Sequence, residues 1–147
     1  MSDKPTPMDI DALQQMLHAD IFAGYVQTLG LRVCEVRTGE VVLALPVVAH
    51  LVHVGGVVCG QALMAAADSA MVLAISALQG GFRPMTTVQL QTSFLRPIPG
   101  PVAGTAAEAR LVARVLRAGK NLVFGEIEIL DGAGRLAAHS TTTYALL

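Results

Sequence analysis

Charged and aromatic residues are scarce in this 147-residue sequence: Asp, Glu, Lys and Arg make up 14% of it, aromatics 4%, and tryptophan is absent. The formal net charge is −1. A chain without a basic excess or stacking aromatics lacks what a nucleic-acid partner needs. Two cysteines, Cys34 and Cys59, are too few for a four-cysteine zinc site. They could pair, but the N-terminus Met1-Ser2-Asp3-Lys4-Pro5 carries no apolar core of an export signal, so reduced thiols and a cytoplasmic location are expected. The four histidines lack the spacing of a zinc-binding helix, and His50 and His53 have no carboxylate nearby, so no metal is expected. Repeats, low-complexity tracts and long linkers are missing too. One domain over 1–147 is expected, with 1–22 forming an N-terminal helix and its lead-in.

What is present is apolar: 53% of the residues, enough that part of that surface is expected in a subunit interface. Thr6-Pro7 opens a short amphipathic helix carrying Met8, Ile10, Leu13, Met16 and Leu17. Leu31–Arg37 alternates as a half-buried strand, Thr38-Gly39-Glu40 turns, and Val41–Pro46 returns as a hairpin partner. Val47–Gly56 reads as a loop. Val57–Leu78 reads as a helix apolar nearly all round, ended by Gly80-Gly81. Four strand-like runs follow. In Met85–Arg96, Val88, Leu90, Thr92 and Phe94 share one face, opposite Gln89, Gln91 and Ser93. Val102–Leu116, Asn121–Leu130 and Arg135–Leu147 follow, separated by turns at Arg117–Lys120 and Asp131–Gly134. The order predicts an α+β fold in which one antiparallel sheet curls around a buried helix.

Asp68 stands out within that helix, as the one Asp, Glu, Lys or Arg between Glu40 and Arg83. A carboxylate in apolar surroundings must shift its pKa or find partners, and either works against stability. Such a residue persists mainly where chemistry uses it. The helix is long enough to raise a membrane span, but a central Asp is expensive in lipid, and Gln61, Ser69, Ser76 and glycine flanks without basic anchors argue against it. No membrane partner is expected.

The segment from His53 to Met71, His-Val-Gly-Gly-Val-Val-Cys-Gly-Gln-Ala-Leu-Met-Ala-Ala-Ala-Asp-Ser-Ala-Met, resembles the signature of PaaI-like (phenylacetate-type) acyl-CoA thioesterases of the hotdog fold. That signature runs Asn-x-x-Gly-x-x-His-Gly-Gly, with an acid seven positions on. Val88–Pro97, ending Phe-Leu-Arg-Pro, resembles the strand after the helix, and Arg117–Lys120 the family's basic turn. The resemblance spans Ala23 to Leu146. It sets His53 at the Asn, Gly56 at the first Gly, Cys59 at the His, Gly60 and Gln61 at the Gly-Gly pair, and Asp68 at the catalytic acid. His53, Cys59 and Gln61 are departures; Gly60 and Asp68 match. The resemblance implies a curved antiparallel sheet wrapped around one long central helix. It also implies an acyl- or aryl-CoA substrate hydrolysed to acid and coenzyme A without a cofactor, and a homodimer or a dimer of dimers.

In that reading the Gly60 N–H, at the start of the helix, supplies an oxyanion donor. Asp68 acts as general base or as nucleophile; the residues do not separate the two. Gly60 and Asp68 lie about 12 Å apart by helical rise, too far to serve one carbonyl from one chain. The acid of hotdog thioesterases reaches the partner's oxyanion hole, which resolves the distance. Gln61 either contacts substrate or water or satisfies the first helical turn, and His53 stands in for the Asn or is solvated. Cys59 as nucleophile is disfavoured, having no base beside it. Thr87, counted back from Pro97, or Thr86, by alternation unless a bulge intervenes, brings a hydroxyl to the acid. Arg96, Arg117 and Lys120 are candidates for coenzyme A phosphates. The rival readings are a non-catalytic hotdog acyl-CoA-binding module and a hotdog dehydratase, which would need a His that the long helix lacks.

Overall fold

The computed structural model describes residues 8–147, so the expected Thr6-Pro7 helix start lies outside the described residues. Helix α1 (Ile10–Leu17) begins at Asp9, whose carboxylate accepts the Ala12 N–H at 2.8 Å. That bond satisfies one of the free amides of a first helical turn. A single turn, α2 (Gly24–Gln27), leads to β1 (Arg32–Arg37) and β2 (Glu40–Pro46). They form the expected hairpin, with Gly39 at φ 69° in the turn. Helix α3 (Gly60–Gln79) follows, then β3 (Met85–Phe94), β4 (Glu108–Ala118), β5 (Leu122–Leu130) and β6 (Leu136–Leu146). All strand pairs are antiparallel, in the order β1-β2-β4-β5-β6-β3. One six-stranded sheet around one long helix is the hotdog arrangement.

The helix starts three residues later than the apolar run suggests. Val57 and Val58 form isolated β-bridges with Pro99 and Val52, and Cys59 is extended, so the helix can begin only at Gly60. These β-branched residues take the conformation in which their side chains are least crowded. The helix ends where Gly80 turns left-handed at φ 77° and Gly81 donates to the Ser76 carbonyl at 3.0 Å. The strand expected from Val102 starts only at Glu108, because Gly104, at φ 80°, and the Thr105 N–H to Val102 carbonyl bond make a turn first. At its other end β4 runs on through Arg117, past a bulge between Val115 and Arg117.

The small residues of α3 let the sheet approach closely: Ala62, Ala66, Ala67, Ala70 and Ala74 are buried, as is Met71. They pack with the inward residues of β2, β4 and β5, among them Val41, Leu43, Leu45, Leu111 and Ile127. A Cβ added at Gly125 would lie 2.3 Å from the Met71 methyl carbon and 2.9 Å from the Arg114 carbonyl oxygen. Helix α3 has the length and apolarity of a membrane span, but it is spent on this core. One stripe of the helix is not covered. Gln61 is exposed, and Ala65, Asp68 and Val72 are only partly buried. These positions recur at the four-and-three spacing of a single helix face. The expectation of a helix buried on all sides therefore fails along one line, and Asp68 sits on it.

Strand β3 is one of the sheet's two edges, with β1 at the other, and among the described residues it pairs only with β6. It carries Val88 and Phe94 at 60% and 52% exposure, and Leu95 just beyond it at 59%. Its register slips between Thr87 and Gln89. Val88 occupies the bulge, and Thr87 takes the inward place that simple alternation gives to Val88.

Candidate active site

Two clefts flank the uncovered stripe of α3. The first, about 250 Å³, is lined by Asp68, Ser69, Thr86, Thr87 and Tyr144 with an apolar wall that includes Phe22 and Phe82. Asp68 has found partners here. The Thr87 hydroxyl donates to Asp68 Oδ1 at 2.9 Å. The Tyr144 hydroxyl donates to the same oxygen and also lies 2.9 Å from the Asp68 carbonyl oxygen. Thr87 and Tyr144 are paired across β3 and β6, so two adjacent strands deliver both hydroxyls from one side. Among the described residues Asp68 Oδ2 has no donor and Asp68 no salt-bridge partner. The charge stays on the uncovered face with one oxygen open.

Tyr144 is 2% exposed. Burial, and then the adjacent Asp68 charge, push its phenol well above the usual tyrosine range. It therefore stays protonated and acts as a donor. Sequence reasoning missed it. The signal was in the alternation of β6: Ala138, Ser140, Thr142 and Tyr144 all point inward and are all buried. Ser140 and Thr142 are satisfied by Thr92 Oγ1 at 2.7 Å and the Gln89 carbonyl at 2.8 Å.

The second cleft, about 390 Å³, gathers His53, Gly60, Phe94 and Arg96 with apolar neighbours. Gly60 is the first helical residue, and Cys59 before it makes no side-chain cap. Neither the Gly60 nor the Gln61 amide has a hydrogen-bond partner among the described residues. These free N–H groups stand at the positive end of the α3 dipole. A Cβ at Gly60 would come within 3.0 Å of the Phe94 ring, so the aromatic lies closely over the helix start with no side chain between them.

The His53 ring folds back on its own turn, with Nδ1 accepting the Gly55 N–H at 2.8 Å. A Cβ at Gly55 would lie 2.6 Å from the His53 ring. With Nδ1 an acceptor, the neutral ring carries its proton on Nε2 and offers it as a donor. A histidine so held can give the hydrogen bond that an amide would give at this position.

The expected site residues thus fall into groups. Asp68 and Thr87 are in contact; Thr86 lines the same cleft without reaching the carboxylate. His53, Gly60 and Arg96 share the other cleft. Gln61 is exposed beside Gly60, and partly buried Cys59 donates its N–H to the Leu51 carbonyl outside both clefts. Cys34 and Cys59 are both free thiols. Arg117 and Lys120 are exposed at the β4–β5 turn. That turn lies at the Asp68 end of the sheet, since Leu122 and Thr86 both pair with Ala145. No group of three metal-ligating side chains forms among the described residues.

Comparison with known proteins accords with this geometry. A model of the thioesterase superfamily matches residues 55–138, more than half of the chain, including the α3 start and Asp68. The structure of a conserved Pseudomonas aeruginosa protein is 34% identical, covers 86% of this chain and 95% of its own, and superposes with a TM-score of 0.74. A mutant of the phenylacetic acid degradation protein PaaI from Thermus thermophilus is 26% identical over 85% of this chain and 100% of its own, with a TM-score of 0.73. A hypothetical thioesterase from Streptococcus pneumoniae, solved with coenzyme A, shares the fold at 18% identity, a TM-score of 0.71, and coverage of 80% and 85%. An open carboxylate on the long helix, free amides at its start and this family match belong together: the chain is a member of the thioesterase superfamily, a hotdog-fold thioester hydrolase.

Proposed function

We propose that the protein is an acyl-CoA thioesterase whose working unit is a homodimer, with Asp68 of one protomer and the Gly60 N–H of the other acting on one thioester. The observation that carries this reading is the split site. Asp68 and Gly60 lie on one rigid helix, about 12 Å apart by rise, in two different clefts. A carboxylate and an oxyanion donor so separated serve one carbonyl only if a second copy brings its own helix start alongside. The uncovered stripe through Gln61 and Asp68, the open β3 edge and exposed Val88, Phe94 and Leu95 support such a contact. An unpaired apolar edge strand is a liability unless another chain covers it.

The chemistry then needs no cofactor. Acting as general base, Asp68 takes a proton from water as the oxygen attacks the thioester carbonyl. The oxyanion forms against the partner's Gly60 N–H, in the field of that helix N-terminus. Collapse breaks the C–S bond, and the proton held by Asp68 goes to the departing sulfur. Acting instead as nucleophile, Asp68 attacks the carbonyl and breaks the C–S bond, expelling coenzyme A as thiolate and leaving a mixed anhydride. Water then opens the anhydride to the free acid and the Asp68 carboxylate, and its proton goes to the thiolate. Both routes use the carboxylate oxygen that accepts no hydrogen bond. His53 Nε2–H and the Gln61 side chain stand beside Gly60 to hold the carbonyl or the water. Arg96, Arg117 and Lys120 are exposed cations suited to coenzyme A phosphates, and the coenzyme A bound to the pneumococcal neighbour supports that ligand.

The reading is tested with acetyl-, hexanoyl- and benzoyl-CoA, following release of free thiol by a chromogenic disulfide. Catalytic release from at least one supports it. Tight binding of all three without release would make the protein a binding module and overturn the proposal.

A further inference from the structure

We infer that Tyr144 is a positioning residue for the reaction: with Thr87 it locks the Asp68 carboxylate through Oδ1 and so reserves Oδ2 for the proton or the bond that the reaction makes. The inference rests on the acyl-CoA thioesterase reading of Asp68 and deepens it.

A carboxylate on a helix surface rotates about χ1 and χ2, and either oxygen can present itself. Here both hydroxyl donors converge on one oxygen, from Thr87 on β3 and Tyr144 on β6. Their backbones are register partners in the sheet, so the spacing between the donors is set by strand geometry. The Tyr144 hydroxyl also lies 2.9 Å from the Asp68 carbonyl oxygen, so its one proton sits between the two acceptors. The phenol thus touches both the backbone and the side chain of the same residue. Its ring is buried, and its place in β6 is fixed by pairing with Thr87 on one side and Val123 on the other.

The arrangement differs from an ordinary satisfied carboxylate. Of the described side chains lining the Asp68 cleft, contributed by α2 and the segment before it, α3, the Phe82 loop, β3 and β6, only Asp68 and Tyr144 titrate. Among the described residues no Lys, Arg or His lines that cleft. Its charge is held by two neutral donors, which orient it without neutralising it or blocking its second oxygen. A cationic partner would have competed with substrate for that charge. Tyr144 keeps its own proton, for the burial and the neighbouring charge described above both disfavour the phenolate. It therefore cannot replace Asp68 as a base, and its effect on the rate runs through Asp68 alone.

The test compares kcat and KM for hexanoyl-CoA and benzoyl-CoA in wild type, Tyr144→Phe, Thr87→Val, Thr87→Ser, the Phe/Val double variant and Asp68→Asn. Phe keeps the buried ring and removes only the hydroxyl. A lost hydrogen bond to a charged group predicts a fall in kcat of about tenfold or more, with KM changed by less than about threefold. Thr87→Ser should keep near-wild-type kcat, because it restores the donor. The double variant should lose less than the product of the single losses, because both donors act on one oxygen. A packing role would instead lower the melting temperature and leave kcat per folded protein alone. Wild-type kcat in Tyr144→Phe, with Asp68→Asn inactive, overturns the inference and leaves the thioesterase reading standing. Wild-type kcat in Asp68→Asn overturns that reading and this inference with it. Should Tyr144→Phe fail to fold, Thr87→Val on the sheet edge carries the same prediction for Oδ1, and wild-type kcat there overturns it.

Discussion

Two inactive variants should make an active enzyme when mixed. Asp68→Asn removes the base and leaves the α3 start intact. Gly60→Val leaves Asp68 intact and spoils the donor: its Cβ alone would press within 3.0 Å of the Phe94 ring, and its methyls crowd the amide that an oxyanion must approach. Loss of one such donor is worth about 2.7–4 kcal/mol, or about 100- to 1000-fold in rate. Each homodimer carries two damaged sites. A mixed dimer with sites shared across its interface carries one site with both defects and one with neither. Random exchange makes about half the dimers mixed, so a one-to-one mixture should recover about a quarter of the wild-type rate. The assay is co-expression with two affinity tags, isolation of the mixed species by tandem purification, and thiol release from an acyl-CoA. The purified mixed dimer should reach about half of the wild-type rate. If both halves of a site came from one chain, every site in the mixture would stay defective, and activity would remain at the level of the parents. That result would refute the split-site reasoning.

Two further predictions concern the scaffold. Gly125→Ala forces a methyl against fully buried Met71 and, at 2.9 Å, the Arg114 backbone carbonyl. The Met side chain can shift but the strand cannot, so denaturant melts should show a loss of about 2–3 kcal/mol, the upper part of the range for an overpacked core. Tyr144 gives a pH signature. Its folded pKa is raised above the unfolded value of about 10, so its contribution to stability is present in full below that pH and lost as pH rises above it. Tyr144→Phe lacks that titration, so the stability difference between wild type and variant should shift against wild type above about pH 10. A difference that stays constant through that range would contradict the buried, protonated phenol.

Much of the site was legible because its physics is local. An isolated Asp in an apolar run marks itself, and the resemblance to the family motif picks out Gly60, near the start of that run, as an amide a substrate can approach. What could not be read depended on registers set by other strands. Alternation alone favoured Thr86 as the inward hydroxyl. The bulge at Val88, visible only once β3 is paired with β6, makes it Thr87. Tyr144 lies 76 residues from Asp68, and only the closed sheet brings them together. The α3 sequence looks buried all round because apolar residues surround it nearly everywhere, with Ala65 and Val72 beside Gln61 and Asp68 on the uncovered stripe. Hydropathy cannot separate a surface covered by the chain's own sheet from one left for another copy. Local conformation misled at Val57-Val58 as well, where bridges to Val52 and Pro99 keep two apolar residues out of the helix.

The central claim, that the Asp68 carboxylate drives thioester cleavage, is tested most directly by Asp68→Asn under saturating acyl-CoA. Asn matches Asp in size and keeps an oxygen to accept from Thr87 and Tyr144, so the fold and the hydroxyl contacts should persist and the melting temperature should move by only a few degrees. What is lost is the proton acceptor, worth about 100- to 10,000-fold in positioned acid–base catalysis. The account predicts kcat at least about 100-fold below wild type in a variant that still binds coenzyme A. A folded Asp68→Asn protein that releases thiol at the wild-type rate would contradict it.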